Sequence, residues 1–193
     1  MQKFGHMSIR HARYGAGFTL IELMVTLVIA AILAALSAPY MRDFITRNKV
    51  AGISNEFTGS LLRARNEAVS KNTCITMCTS TTASNDLPQC VAASSDWNAG
   101  WVLFINEACD PADTTPAAAD LVLARGAGAT HYPLSSSEAD TNTITFDQRG
   151  NIRDGGVAGR FDLAEQMTHG KFNRSICLDR LGRTRLVDFE SEC

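Results

Sequence analysis

The sequence predicts an α+β fold in which a long N-terminal helix packs on an antiparallel β-sheet domain. Three observations support this prediction: an apolar run over residues 18–38, a periodic apolar stripe over residues 39–72, and several short β-like runs over residues 73–193. A long helix that precedes the strands, rather than alternating with them, is typical of α+β proteins. We therefore expect a short leader at residues 1–17, one helix with an apolar and an amphipathic segment, and one β-domain.

The apolar segment is long enough to cross a membrane as a helix. Residues 18–38 at a rise of 1.5 Å each span about 30 Å, which is the thickness of a bilayer core. The leader carries three basic residues and no acid, so the positive-inside rule predicts that it stays cytoplasmic. One carboxylate, Glu22, lies within the apolar run, and it needs a partner because a charge in hydrocarbon is unfavourable.

Residues 17–22, Gly-Phe-Thr-Leu-Ile-Glu, resemble the type III signal of type IV prepilins and type II secretion pseudopilins. The resemblance implies cleavage between Gly17 and Phe18 by a prepilin peptidase, followed by N-methylation of Phe18. It also implies that Glu22 pairs with the new amino terminus of a neighbouring subunit during filament assembly. An ordinary signal peptide would place its small residues and its cleavage site after the apolar run, whereas Gly17 precedes the run.

The net charge excludes a protein that is basic overall. The chain has 18 Lys plus Arg and 20 Asp plus Glu, a net charge of −2. Removing the leader, with Lys3, Arg10 and Arg13, leaves 15 basic against 20 acidic residues, a net charge of −5. A nucleic-acid role would therefore have to rest on a local basic patch. With the leader in the cytoplasm, the β-domain is expected to face the periplasm or the exterior.

The six cysteines all lie in the β-domain, at positions Cys74, Cys78, Cys90, Cys109, Cys177 and Cys193. An even number in an oxidising compartment favours disulfides. A bridge between Cys177 and Cys193 would hold the last residue, and one between Cys78 and Cys90 would close a polar loop, which stabilises by roughly 2–4 kcal/mol. Cys74 and Cys109 remain, although six cysteines allow 15 connectivities. No metal or cofactor is expected, because no second close Cys or His pair completes a zinc site.

Residues 40–71 are predicted to form an amphipathic helix, following Pro39, which removes a helix hydrogen bond. Apolar residues recur there at spacings of three and four, at Val50, Ile53, Phe57, Leu61, Ala64 and Ala68. Charged residues, including Arg65, are placed on the opposite face. Strands are predicted at residues 73–79, 100–106, 121–124, 143–146, 175–179 and 184–189. Residues 107–120 are predicted to form an exposed loop.

The downstream sequence resembles the GspH/FimT/FimU branch of the pilins. The residues that carry this likeness are Leu61–Asn72, Trp97–Phe104, Thr145–Gly150, Ile176–Leu178 and Gly182–Arg185. The resemblance implies a type IV pilin-like fold and a single-pass precursor in the inner membrane that later joins the pilus. Its implied partners are major and minor pilin subunits and the prepilin peptidase. The aromatic residues Trp97, Trp101 and Phe104 are expected to fill the core rather than to stack on bases.

A basic cluster near the C-terminal end is the main candidate site, comprising Lys171, Arg174, Arg180, Arg183 and Arg185. The sequence predicts a hairpin turn around Gly182, where glycine allows a positive φ and a close backbone approach. Arg183 and Arg185 are two residues apart, so on a strand they share a face. Guanidinium groups are suited to phosphate because they are planar, charged and able to bind bidentately.

Gly182-Arg183-Thr184-Arg185 also resembles a G-R-x-R motif linked to DNA binding in the FimT proteins of naturally competent bacteria. The resemblance implies a minor type IV pilin that binds DNA non-specifically during uptake in natural transformation, with the other basic residues in support. The alternative is a minor pilin or pseudopilin that primes assembly of a pilus or a type II secretion pseudopilus, with the arginines contacting neighbouring subunits. An enzyme is disfavoured because the sequence contains no readable nucleophile motif.

Overall fold

A computed structural model describes residues 17–91, 94–128, 132–137, 142–153, 159–164, 170–189 and 191–193. Within them the chain forms one long helix, two short 3-10 helices at Trp97–Ala99 and Ala118–Asp120, and eight strands. The long helix, α1, spans Leu20–Lys71. The strands are β1 Cys74–Thr79, β2 Trp101–Asn106, β3 Leu121–Arg125, β4 Leu134–Ser136, β5 Thr143–Phe146, β6 Arg160–Leu163, β7 Arg174–Leu178 and β8 Thr184–Asp188.

Helix α1 begins at Leu20 because Thr19 caps its first turn. Thr19 Oγ1 accepts the backbone N–H of Glu22 at 3.2 Å, and the Thr19 carbonyl accepts the N–H of Leu23 at 3.1 Å. The Thr-x-x-Glu spacing is that of a capping box, so the residues of the leader motif also start the helix. The helix continues through position 39, so the proline there does not end it.

The chain divides into two compact units at residues 43 and 44. In the described part of the first unit, the large apolar side chains are exposed, from Phe18 at 82% to Leu36 at 64%. By length and composition, α1 is able to cross a membrane through this apolar segment. Unpartnered apolar surface of this extent is unfavourable in water, so the segment requires lipid or other protein around it.

The second unit contains two four-stranded antiparallel sheets, with strand orders β3-β2-β1-β5 and β4-β6-β7-β8. The antiparallel fold class predicted from the sequence is confirmed, but the strands form two sheets where the sequence indicated one. The six predicted strands occur within one residue of their predicted bounds. Strands β4 and β6 were missed, because Leu-Ser-Ser and Arg-Phe-Asp-Leu are too short and too polar to show a clear alternation.

The core of the second unit forms where α1 meets both sheets. The predicted apolar stripe of α1 is buried at five of its six positions, and Ile53 is half-buried. The Phe57 ring lies 5.3 Å from that of Trp101 in β2 and 5.0 Å from that of Phe161 in β6, measured between centroids. The Trp101 indole N–H donates to Ser60 Oγ at 3.0 Å. The tryptophans therefore fill the core, as predicted.

Three disulfides join Cys74 to Cys109, Cys78 to Cys90, and Cys177 to Cys193. The last two are the pairs that the sequence favoured, and the first joins the remaining cysteines. Cys109 is buried and anchors the 107–120 loop to β1, so this loop is tethered although most of it is exposed.

Candidate functional site

The loop between β7 and β8, which we call the Asp179 turn (residues 179–183), carries two of the predicted arginines, Arg180 and Arg183, and Arg185 follows it in β8. Asp179 Oδ1 accepts the backbone N–H of Leu181 at 2.9 Å and that of Arg183 at 3.0 Å. The Gly182 N–H donates to the Asp179 carbonyl at 2.9 Å, and Gly182 has a φ of +70°. A three-residue hairpin loop closed by a left-handed residue has this geometry, which fixes where the arginines leave the backbone.

The carboxyl group of Asp179 is held ionised by the turn that it closes. Desolvation raises its pKa, but the backbone N–H of Arg183, the Arg183 guanidinium and the N–H of Leu181 outweigh that effect and lower the pKa below its ordinary value. Arg183 Nε lies 2.8 Å from Asp179 Oδ2 in an exposed ion pair. The same carboxylate therefore positions both the backbone and the side chain of Arg183.

Gly182 is buried and supports the site from below. A Cβ at this position would lie 3.0 Å from Phe146 Cε1 and 3.3 Å from Arg65 Cδ, and closer still to the Gly150 carbonyl oxygen. Only glycine therefore combines this close approach with a positive φ. Gly182 thus seats the turn on α1 and β5, and its predicted part in DNA binding stays a prediction.

Arg183 and Arg185 lie on the same face, as the alternation predicts. Arg185 pairs in register with Cys177 of β7, and both arginines are exposed. Together with Asp179 and Cys193 they line an open groove of about 480 Å³. The groove thus presents two guanidinium groups and one carboxylate to a ligand.

The chain after β8 folds back against Arg185. Arg185 Nη2 donates to the backbone oxygen of Cys193 at 3.1 Å and to that of Glu192 at 3.5 Å. The disulfide between Cys177 and Cys193 holds these backbone oxygens beside the strand. The orientation of Arg185 is therefore set by the tail as well as by β8.

Lys171 and Arg174 do not join the other basic residues, in contrast to the cluster predicted from the sequence. Arg174 pairs in register with Asp188, at the opposite end of the β7–β8 ladder from the Asp179 turn. Its Nη1 donates to the Asn173 carbonyl at 2.8 Å and lies 3.7 Å from Asp188 Oδ1. Lys171 Nζ lies 5.1 Å from the Phe172 ring centroid. Four strand residues separate Arg174 from the turn, about 13 Å at an extended rise, which explains the separation.

A second turn has the same design as the first, and we call it the Asp147 turn (residues 147–151). Asp147 Oδ1 accepts the N–H of Arg149 at 2.8 Å and that of Asn151 at 2.9 Å. The Gly150 N–H donates to the Asp147 carbonyl at 2.9 Å, and Gly150 has a φ of +79°. The sequence signal common to both turns is the Asp-x-x-Gly spacing directly after a strand, at Asp147–Gly150 and at Asp179–Gly182.

Arg65 of α1 connects the helix to this region. It was predicted on the solvent face, but its side chain is half-buried, and Nε donates to the Gly150 carbonyl at 3.0 Å. Its Cδ also borders Gly182. Helical periodicity predicts only the side of the helix from which the Arg65 side chain leaves. The long aliphatic part of an arginine can extend along the surface and bring its guanidinium group to a distant acceptor.

The leader motif is described only from its last residue onward. Gly17 and Phe18 are exposed and precede the helix, and Glu22 is in its first turn. Residues 1–16 lie outside the described residues, so cleavage after Gly17 stays a prediction. In the described part of the chain, no group of three or more His, Cys, Asp or Glu side chains is arranged to hold a metal.

Comparison with known proteins identifies two matching families. The type II transport protein GspH family matches residues 54–182, and the prokaryotic N-terminal methylation motif matches residues 13–38. No curated protein is similar enough in sequence to match the chain.

Two crystal structures of the type IV minor pilin FimU from Pseudomonas aeruginosa PAO1 resemble the chain. The P21 form is 21% identical, with a TM-score of 0.55, over 75% of this chain and 92% of FimU. The P65 form is 19% identical, with a TM-score of 0.48, over 71% of this chain and 91% of FimU. At this level of identity the likeness concerns the fold.

Proposed function

This chain belongs to the GspH family of pilin-like proteins, and from that premise we propose that it is a FimT-like minor pilin that binds DNA during natural transformation. Its binding groups are Arg183 and Arg185, with Arg180 beside them on the Asp179 turn. The contacts are to phosphate groups and are therefore independent of base sequence.

The proposal rests on two exposed guanidinium groups that line the same groove, that of Arg183 at the end of the Asp179 turn and that of Arg185 in β8. Arg183 uses Nε for Asp179, and among the described residues its two terminal nitrogens have no hydrogen-bond partner. Arg185 Nη2 donates to the backbone of the C-terminal tail, and the other N–H groups of this guanidinium are available to a ligand. Because a guanidinium has five N–H donors, each arginine retains donors in a planar fork that suits a phosphate.

The local charge balance makes this binding weak. Asp179 offsets the charge of Arg183, so the net positive charge of the proposed site comes mainly from Arg180 and Arg185. Without the leader, the chain has 15 basic against 20 acidic residues, a net charge of −5, and repels DNA elsewhere. Few phosphates are contacted, and the salt dependence should be shallow, with a slope of about 0.9 per phosphate on duplex DNA.

The cellular location follows from the same proposal. The precursor is a single-pass protein of the inner membrane, anchored by residues 18–38, with its β-domain in the periplasm. The prepilin peptidase removes residues 1–17, and the mature subunit joins other pilin subunits in a filament. The β-domain is then exposed at the surface of the pilus, where it meets DNA.

The test compares two variants that change the net charge equally. Arg183→Ala/Arg185→Ala removes two charges at the proposed site, and Arg42→Ala/Lys49→Ala removes two exposed charges on α1. Binding of the full-length chain, in a nonionic detergent, to a labelled duplex is measured by fluorescence anisotropy. We expect the first variant to bind about tenfold more weakly, since exposed charge pairs contribute up to about 1 kcal/mol each. The control should bind like the wild type.

The second candidate function is assembly priming, as a minor pilin or pseudopilin that does not bind DNA. Leu181 and Leu186, on the same hairpin, are 52% and 53% exposed and would suit contact with a neighbouring subunit. If Arg183→Ala/Arg185→Ala binds DNA like the wild type but is excluded from filaments, this function replaces the first.

A further inference from the structure

The Asp147 turn and the Asp179 turn lie against each other at one end of the second unit. The Ile152 N–H donates to the Arg180 carbonyl at 2.9 Å, and the Gly150 carbonyl fills the space beneath Gly182. The first turn follows β5 of one sheet, and the second joins β7 and β8 of the other. Residues about thirty positions apart in sequence therefore form one continuous surface, which we call the two-turn surface.

Arg149 and Arg153 bring two further positive charges to this surface. Both side chains are exposed, and among the described residues neither has a hydrogen-bond or ion-pair partner. Arg149 sits at the tip of the Asp147 turn. Arg153 follows Ile152, which is buried and forms an isolated β-bridge with Phe146, whereas Arg153 itself is exposed.

The acidic groups near these arginines are partly occupied by the backbone. Asp147 Oδ1 accepts two backbone N–H groups in the same way as Asp179 Oδ1. Asp147 and Asp110 line an open groove with Arg153, so that side of the surface is less positive than the Arg149 side. Because an arginine side chain is longer than an aspartate side chain, these arginines are able to reach a ligand that the aspartates do not contact.

We propose that the two-turn surface is a single phosphate-binding site, in which Arg149 and Arg153 contact the same DNA backbone as Arg183 and Arg185. This inference rests on the proposed DNA-binding function and extends it to the other sheet. A duplex presents a phosphate every 3.4 Å along each strand, so a surface built from two adjacent turns contacts more phosphates than one hairpin can. The contact between the turns holds together the backbone segments from which these arginines project.

The inference is tested with Arg149→Ala/Arg153→Ala, measured beside Arg183→Ala/Arg185→Ala and the control Arg42→Ala/Lys49→Ala. The probe is a labelled duplex of random sequence, titrated with the full-length chain in a nonionic detergent at several salt concentrations. We expect Arg149→Ala/Arg153→Ala to bind about three- to tenfold more weakly and its salt slope to fall by about two, roughly one for each phosphate that the variant no longer neutralises. Tryptophan fluorescence checks that each variant is folded.

The outcomes separate this inference from the proposed function. If Arg183→Ala/Arg185→Ala weakens binding while Arg149→Ala/Arg153→Ala leaves affinity and slope unchanged, the two-turn surface is overturned and the hairpin site stands. If both variants bind like the wild type, the proposed function itself fails. A gain variant gives independent support: Gln148→Arg adds an exposed charge to the Asp147 turn and should tighten binding and steepen the slope.

Discussion

Gly182 shows how a single residue can control the position of the candidate site. Its φ is +70°, and a Cβ there would approach the Gly150 carbonyl more closely than contact distance allows. Alanine would have to adopt the left-handed region and displace the Asp147 turn as well. The arginines themselves would be unchanged, but the backbone that orients them would move.

We therefore predict that Gly182→Ala lowers the free energy of unfolding by about 1–3 kcal/mol, the range for a residue held in a strained backbone region. Gly59→Ala is the matched control, because Gly59 is helical and has open space around its Cβ position. It should raise the stability by about 0.5–1 kcal/mol through helix propensity. Urea unfolding of the full-length chain in detergent, followed by tryptophan fluorescence, measures both. A Gly182→Ala protein as stable as the wild type would contradict the close-packing explanation.

At the scale of secondary-structure elements, α1 holds the two sheets together through Phe57. This side chain is fully buried, and its ring makes edge contacts with Trp97 and Trp101 and a tilted contact with Phe161. Edge-to-face pairs add to the free energy of burial because the positive edge of one ring meets the negative face of another. The helix thereby contacts strands of both sheets.

Phe57→Ala should lower the free energy of unfolding by about 3–5 kcal/mol, since it leaves a cavity among aromatic rings. Leu62→Ala is the control on the same helix, because Leu62 is 42% exposed and its replacement should cost less than about 1 kcal/mol. Thermal unfolding monitored by near-UV circular dichroism reports directly on Trp97 and Trp101. Equal destabilisation by the two substitutions would mean that Phe57 does not link the sheets.

At the scale of the whole molecule, the exposed apolar segment and Glu22 point to assembly with other subunits. Because Thr19 caps the start of α1, the Glu22 carboxylate lies in the first turn of the apolar segment. We propose that this carboxylate pairs with the amino terminus of a neighbouring subunit, as the leader motif implies. Filament formation would then neutralise a charge that is unfavourable in the membrane.

Glu22→Ala is predicted to insert into the membrane as well as the wild type but to be absent from filaments. Removing a charge makes insertion more favourable, so any defect should appear only at assembly. Thr26→Ala, one turn further along the same segment, is the control and should be incorporated normally. Immunoblots of membrane fractions and of sheared filaments separate the two steps. Normal amounts of Glu22→Ala in filaments would show that another group pairs with the amino terminus.

The sequence alone determined those features that depend on local periodicity and spacing. The apolar stripe of α1 follows from apolar residues at spacings of three and four, and six of the eight strands within the described residues follow from short β-like runs with a period of two. In both cases the conformation is set by residues that are near in sequence. Arg183 and Arg185, two residues apart, line the same groove for the same reason. The family follows from motifs that are contiguous in sequence.

Only the tertiary structure decided which basic residues belong together. Arg174 is near Arg183 in sequence, but strand pairing places it at the other end of the β7–β8 ladder. Arg149 is distant from Arg183 in sequence, but the contact between the Asp147 turn and the Asp179 turn places it on the same surface. Arg65 reaches the Gly150 carbonyl across the fold. The physical reason is that charge clustering depends on non-local packing of sheets and turns, whose partners are chosen by shape and by hydrogen bonds that no local pattern encodes.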